Sequence, residues 1–187
     1  MRIITGSARG TKLMTLAGDD VTRPTAEMVK EAIFSMIQFD IEGRRVLDLF
    51  AGSGQLGLEA LSRGAASATL SDISKEACEI VKKNAQKTHL YEKCRVLNSD
   101  YKAVIRGFRG REKFDIVFLD PPYASNFISD AIEQLCNADA LASGAVIVCE
   151  SNNPSPYSPE GFTVRRFTRY SKTYVTLLEK ESGEEVV

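Results

Sequence analysis

The chain has 187 residues, 43% of them hydrophobic and 26% charged, with a net charge of −1 at pH 7. That length supports one domain with a substantial core, and so small a net charge does not by itself mark a nucleic-acid binder. No apolar run approaches the roughly 20 residues that span a bilayer, and "MRIITGSARGTKL" lacks the apolar region of a signal peptide. Cys78, Cys94, Cys136 and Cys149 are far apart and His89 is the single histidine. This argues against a zinc site and a disulfide framework, so free thiols in a reducing cytoplasm, without a metal, are expected.

Residues 1–22 read as short extended pieces with turns at "GSARG" and "AGDD". "TRPTAEMVKEAIFSMI" predicts a helix, with Pro24 and Thr25 as start signals and Met28, Val29, Ala32, Ile33, Met36 and Ile37 as its apolar stripe. "RRVLDLF" is a short strand, and "AGSGQLGLEALSRG" turns through glycines into a helix. "SATLSDI", "CRVLNSD" and "FDIVFLD" are further strands, separated by the helices "SKEACEIVKKNAQKTH" and "YKAVIRGF". After the helix "ISDAIEQLCNADAL" come the strands "GAVIVCES", "FTVRRFTRYS" and "YVTLLEK", the last two without an intervening helix. Alternating strands and helices imply right-handed βαβ units in a mostly parallel sheet covered on both faces. The expected class is therefore α/β, a Rossmann-like seven-stranded sheet with an antiparallel edge strand. Residues 1–22 form a hairpin-like extension of it, residues 23–180 the main domain, and 181–187 an acidic flexible tail.

Charge is unevenly distributed. Arg2, Arg9 and Lys12 stand without an acid in residues 1–17, "YKAVIRGFRGREK" contributes Arg109 among five cations, and "VRRFTRYSK" adds Arg165 and Arg166. Each cluster alone is a solvated face; together they form a phosphate-facing side if the fold gathers them.

Ligands of an open α/β sheet bind beyond the carboxyl ends of its strands, where "VLDLFAGSGQLG" lies. Gly52, Gly54 and Gly57 match G-x-G-x-x-G, which lets backbone approach a ligand at a helix N-terminus but also serves any tight strand-to-helix turn. Asp48, inside the strand, needs a cationic partner, because burying an unpaired charge is costly. Asp72 ends the next strand, about 20 residues past the glycines, where an acid accepts ribose hydroxyls. Asp100, after Asn98 and Ser99, is placed to reach an adenine amino group. Any one of these reads equally as an exposed strand-end acid, but three at successive strand ends specify a ligand with an ammonium, a ribose and an adenine and no pyrophosphate: S-adenosylmethionine.

The strand "DIVFLDPPYAS" ends in Asp120, Pro121, Pro122 and Tyr123. Prolines cannot donate to a ladder, so the strand stops there and leaves a carbonyl unclaimed. Together with "LDLFAGSGQLGLEALSRGA", this segment resembles the class I methyltransferases that act on exocyclic amino groups. "RIITGSARGTKL" and "TRPTAEMVKEAIFSMI" narrow the resemblance to the bacterial 16S ribosomal RNA guanine-N2 methyltransferases, the RsmD type, from about Arg2 to Leu178. The resemblance implies an S-adenosylmethionine site at Asp48, Phe50, Ala51, Gly52, Ser53, Gly54, Asp72, Ile73, Ser99, Asp100 and Tyr101. It implies catalysis by Asp120, Pro121, Pro122 and Tyr123, and RNA contacts by Arg23 and Thr25; the charge clusters add Arg9, Arg109, Arg165 and Arg166 as the expected RNA-facing cations. Gln55 departs from the small residue expected there. The implied partner of this cytoplasmic monomer is 16S ribosomal RNA, free or within the small ribosomal subunit. An adenine-N6 methyltransferase would use the same four residues, a protein-glutamine methyltransferase has Asn in place of Asp120, and a non-catalytic RNA-binding module would not need the acids.

Overall fold

The computed structural model describes residues 1–16, 23–122 and 126–182, with residues 23–25 as helical backbone alone. Near-continuous apolar runs become strands because both of their faces are covered. The strands are β1 (Arg45–Asp48), β2 (Ser67–Asp72), β3 (Cys94–Asn98), β4 (Phe114–Leu119), β5 (Leu141–Ser151), β6 (Phe162–Tyr170) and β7 (Thr173–Lys180). The helices are α1 (Arg23–Met36), α2 (Gln55–Ser62), α3 (Lys75–Lys87), α4 (Tyr101–Phe108) and α5 (Phe127–Asn137). The sheet has seven strands in the order β3-β2-β1-β4-β5-β7-β6. The first five in that order run parallel, and β7 is antiparallel to both β5 and β6.

Alternation within each strand sorts side chains between two cores. Val46, Ile116, Phe118, Val146 and Val148 face one side, packed with Val29, Ile33, Leu58 and Val81 of α1, α2 and α3. Leu47, Val117, Leu119, Ile147 and Cys149 face the other, with Ile105 and Phe108 of α4 and Ile132 and Leu135 of α5. Each fully buried Val, Leu, Ile or Phe contributes about 1.5–3 kcal/mol relative to exposure. The expected fold class and antiparallel edge are those observed; Tyr123 and most of the tail lie outside the described residues.

The stripe expected on α1 is rotated. Met28 is exposed, whereas Phe34 and Lys30 are buried. The reason is a charge: the Lys30 ammonium, donating to the Arg2 carbonyl at 2.6 Å, is turned inward and lies 3.7 Å from the fully buried Glu59 carboxylate. Glu59 also accepts the backbone N–H of Ile4 (2.8 Å) and Thr5 (3.0 Å) and the Arg63 Nε (2.8 Å).

The N-terminal residues thereby join the core rather than standing apart. Ile3 N–H donates to Thr11, Gly10 N–H to Ile3 and Leu13 N–H to Met1, which makes a narrow hairpin with Ile3 and Leu13 buried. Its returning arm is held by the buried Asn84, whose Nδ2 donates to the carbonyls of Met14 and Ser53 and whose Oδ1 accepts Met14 N–H.

Breaking a buried pair strands the remaining charge at a cost of about 3–5 kcal/mol. Glu59→Ala is therefore expected to lower unfolding free energy by about that amount in urea titrations. A loss below about 1 kcal/mol, the scale of an exposed pair, would show that Glu59 does not anchor the hairpin.

Candidate active site

β1 sits between β2 and β4, so the connections leave it in opposite directions and open a crevice at its carboxyl end. In the parallel register Asp48 stands opposite Phe118, which places the end of β1 beside the residues that follow β4. A cavity of about 780 Å³ occupies the crevice. Its walls include Asp48, the loop Phe50–Ser53, Asp72, Ile73, Ser99–Tyr101 and Asp120–Pro122.

Asp48 is buried, and its Oδ2 accepts Gly57 N–H at 3.2 Å while Oδ1 has no described partner. Burial pushes its carboxyl up to about 7, and the nearby Asp120 and Asp72 charges add to the effect. Gly57 can come this close because it has no side chain: a Cβ would meet Leu70 at 2.8 Å. Gly54, at φ 82°, caps the start of α2 in the left-handed region and packs against Leu70 and Val81. It supports the loop from beneath and is not among the cavity residues.

Asp72 holds the loop in place. Its Oδ2 accepts Gly52 N–H at 3.0 Å and its Oδ1 accepts Ser74 N–H at 2.8 Å, leaving further lone pairs toward the cavity. Asp100 caps α4 through Lys102 N–H at 2.9 Å while also lining the cavity. Phe50 and Tyr101 form an aromatic wall with Phe127, ring centroids 5.4–6.0 Å apart, and Ile73 is an apolar side chain 75% exposed at the rim. Gln55 also lines the cavity, and its Oε1 is buried without a described partner.

Across the crevice, burial raises the Asp120 carboxyl to about 7. No described group donates to it or to the Pro121 carbonyl. Beside it stands Glu150, next to last in β5, raised to about 8 by burial and then by the Asp120 charge. The sequence signals Glu150 only as an acid ending an apolar strand. Phe127 also lines the cavity unforeseen.

The cations expected to face RNA, Arg9, Arg109, Arg165 and Arg166, do not line the cavity. The hairpin tip near Arg9 is fixed to the far end of α2, where Ser7 N–H donates to the Ser62 carbonyl and Ala8 N–H to Ser62 Oγ. Arg109 follows the far end of α4 and donates to the Asn137 carbonyl at 3.0 Å. Helices of βαβ units run back from the strand ends, so cations at their C-termini land on the edge opposite the cavity. Arg165 is paired with Asp40 and Glu179, and Arg166 is exposed on the edge strand β6. Of that third cluster, Lys172 in the β6–β7 turn reaches the cavity. The expected contacts of Arg23, Thr25 and Tyr123 fall on side chains outside those described.

The family model described as conserved hypothetical protein 95 matches residues 1–179. The chain is 37% identical over 166 residues, 88% of its length and 86% of the relative's, to ribosomal RNA small subunit methyltransferase D of Haemophilus influenzae. It is 34% identical over 187 residues, 99% of its length and 92% of the relative's, to the protein of that name in Escherichia coli K12. A solved Escherichia coli structure described as a methyltransferase has a TM-score of 0.85 at 34% identity, covering 97% of this chain and 98% of the other.

The buried Asp48 carboxyl makes a prediction about stability. Unfolded carboxyls titrate near 4, whereas Asp48 titrates at about 7 in the fold. The folded chain therefore retains a proton that the unfolded chain releases, and stability falls as pH rises from about 4 through about 7. Scanning calorimetry across that window should show a shallower fall in melting temperature for Asp48→Asn than for the unaltered chain. Parallel curves would mean that Asp48 is not held protonated.

Proposed function

From the premise that the chain belongs to the ribosomal RNA small subunit methyltransferase D family, we propose that it transfers a methyl group from S-adenosylmethionine to the exocyclic N2 amino group of a guanine in 16S ribosomal RNA. The observation that carries this reading is one cavity holding an unpartnered buried oxygen, Asp48 Oδ1, and, across the same crevice, Asp120 with the Pro121 carbonyl.

The cofactor half fits S-adenosylmethionine by its donor set. Asp48 Oδ1 would accept from the ammonium, whose charge offsets the burial of the carboxylate. Asp72 would accept ribose hydroxyls with the lone pairs left by Gly52 and Ser74, and Asp100 the adenine amino group. Ile73 and the Phe50–Tyr101 wall supply apolar contact for the base. When bound, S-adenosylmethionine supplies an electrophilic methyl group on a sulfonium.

The remaining chemistry belongs to the chain. A guanine N2 lone pair is delocalised into the ring and is a poor nucleophile. Asp120 and the Pro121 carbonyl, bound to its two N–H groups, draw the nitrogen toward tetrahedral character and turn its lone pair into the cavity. Positive charge growing on that nitrogen is stabilised by oxygens already in position, and the Asp120 carboxylate accepts the proton released. Pro121 and Pro122 stiffen the turn that fixes the separation of the two acceptors. Tyr123 offers a ring face to the extruded base. Lys172 and Arg23 are the cations assigned to the RNA backbone around that base, and Thr25, at the start of α1, is assigned to the same contact.

Asp120→Ala is expected to reduce methyl transfer to 16S ribosomal RNA by about 10²–10⁴-fold while calorimetry still detects S-adenosylmethionine binding. Because Asp120 must be ionised to accept, kcat/KM should rise with pH through about 7. Unchanged turnover of radiolabelled methyl in the variant would sink the mechanism.

A further inference from the structure

Glu150 is the charged group that the proposed mechanism leaves unused. Cys149 pairs with Leu119 in the β4–β5 register, so Glu150 extends β5 alongside Asp120. Glu150 is among the residues lining the main cavity and also a second one, of about 360 Å³, on the β5 side. The two cavities share Pro121, Pro122, Phe127 and Glu150 as their common wall, and Asn152, Asn153 and Tyr157 continue the second. Among the described residues no group donates a hydrogen bond to Glu150 and no cation pairs with it, although burial and the Asp120 charge both disfavour its ionised form. The ionised carboxyl in that setting is stabilised by a donor that arrives with the substrate.

The position of Glu150 says where that donor must be. The cofactor acids Asp48, Asp72 and Asp100 lie at the ends of β1, β2 and in the turn after β3, to one side of Asp120. Glu150 lies on the other side, toward the second cavity. A base whose amino group is bound by Asp120 and Pro121 and whose ring enters from the second cavity presents to Glu150 one of the two ring atoms that flank the amino-bearing carbon. In guanine those two atoms are N1–H, a donor, and N3, an acceptor, so a carboxylate is matched only by the N1 edge. In adenine the atom beside the 6-amino group is N1 with a lone pair, and in 2-aminopurine N1 is likewise unprotonated.

We infer that Glu150 is the residue that selects guanine, its carboxylate accepting the N1–H while Asp120 and Pro121 hold the 2-amino group. This rests on the methyl-transfer reading above and extends it from the reacting atom to the identity of the base. A site built to accept a hydrogen bond rejects an analogue lacking the donor, because its own buried acceptor is left unpaired. Here the analogue's lone pair would also face a carboxylate. Glutamine at this position could turn its amide, accepting from guanine N1–H or donating to an unprotonated N1.

The test uses 16S ribosomal RNA in which the mapped target guanine is replaced, through ligation of a synthetic segment, by 2-aminopurine, which keeps the reacting amino group and changes N1. With assays carried to alkaline pH, because burial and the Asp120 charge raise the Glu150 carboxyl, the unaltered chain should prefer guanine by about 100-fold or more in kcat/KM. Glu150→Gln should bring the two bases within about tenfold, chiefly by raising turnover of 2-aminopurine relative to guanine. Glu150→Asp, which keeps the carboxylate but withdraws it by one methylene, should lower guanine turnover and keep the preference. Retained S-adenosylmethionine binding by calorimetry shows that each variant is folded. Equal use of guanine and 2-aminopurine by the unaltered chain, or an unchanged ratio in Glu150→Gln, overturns the role of Glu150 and leaves methyl transfer to the 2-amino group intact. Failure of the unaltered chain to methylate guanine-containing RNA overturns both.

Discussion

The parallel pairing of β1 with β4 is the constraint on which the site depends. It sets Asp48 opposite Phe118, so the two strands end side by side. The reversal of strand order at that point leaves a crevice that no crossover helix can fill. Both strands are buried on both faces, and a slip of one residue would exchange Val46 and Leu47, or Phe118 and Leu119, between two differently shaped cores. The positions of Asp48 and Asp120 are thus set by apolar packing far from either carboxylate.

That arrangement places Asp48, Asp120 and Glu150 around one cavity, each raised by burial well above the usual carboxylate range. A core designed for stability alone would put apolar groups here. Carboxyls gathered without cations make a site that favours ligands carrying positive charge or N–H donors, the features of an ammonium, a sulfonium and an exocyclic amine.

The second organising interaction is the Lys30–Glu59–Arg63 cluster. It ties α1 to α2 and, through the Ile4 and Thr5 amides, ties both to the N-terminal hairpin. Asn84 makes the corresponding tie between the returning hairpin arm and the loop at Ser53 that lines the cavity. Met1, Thr15 and Leu16 consequently reach the cavity wall from one side and Ala26 and Val29 from another. An extension that reads from its composition as an appendage therefore completes one wall of the site.

The alternation of apolar runs with amphipathic stretches determined the α/β sheet, its helices and its antiparallel edge, because those patterns report local burial on one face or two. Residues at strand ends were equally legible: Asp48, Asp72, Asp100 and Asp120 stand where strands stop, and the ends of parallel strands share one edge. Only the tertiary structure decided what depends on partners distant in sequence. Lys30 is inward because Glu59, on another helix, takes its charge, and Met28 is exposed as a result. Arg9 and Arg109 lie on the far edge because helices return there, which no local charge pattern records. Glu150 became a site residue because the β4–β5 register brought it beside Asp120, a neighbour 30 positions away that period-two hydrophobicity cannot announce.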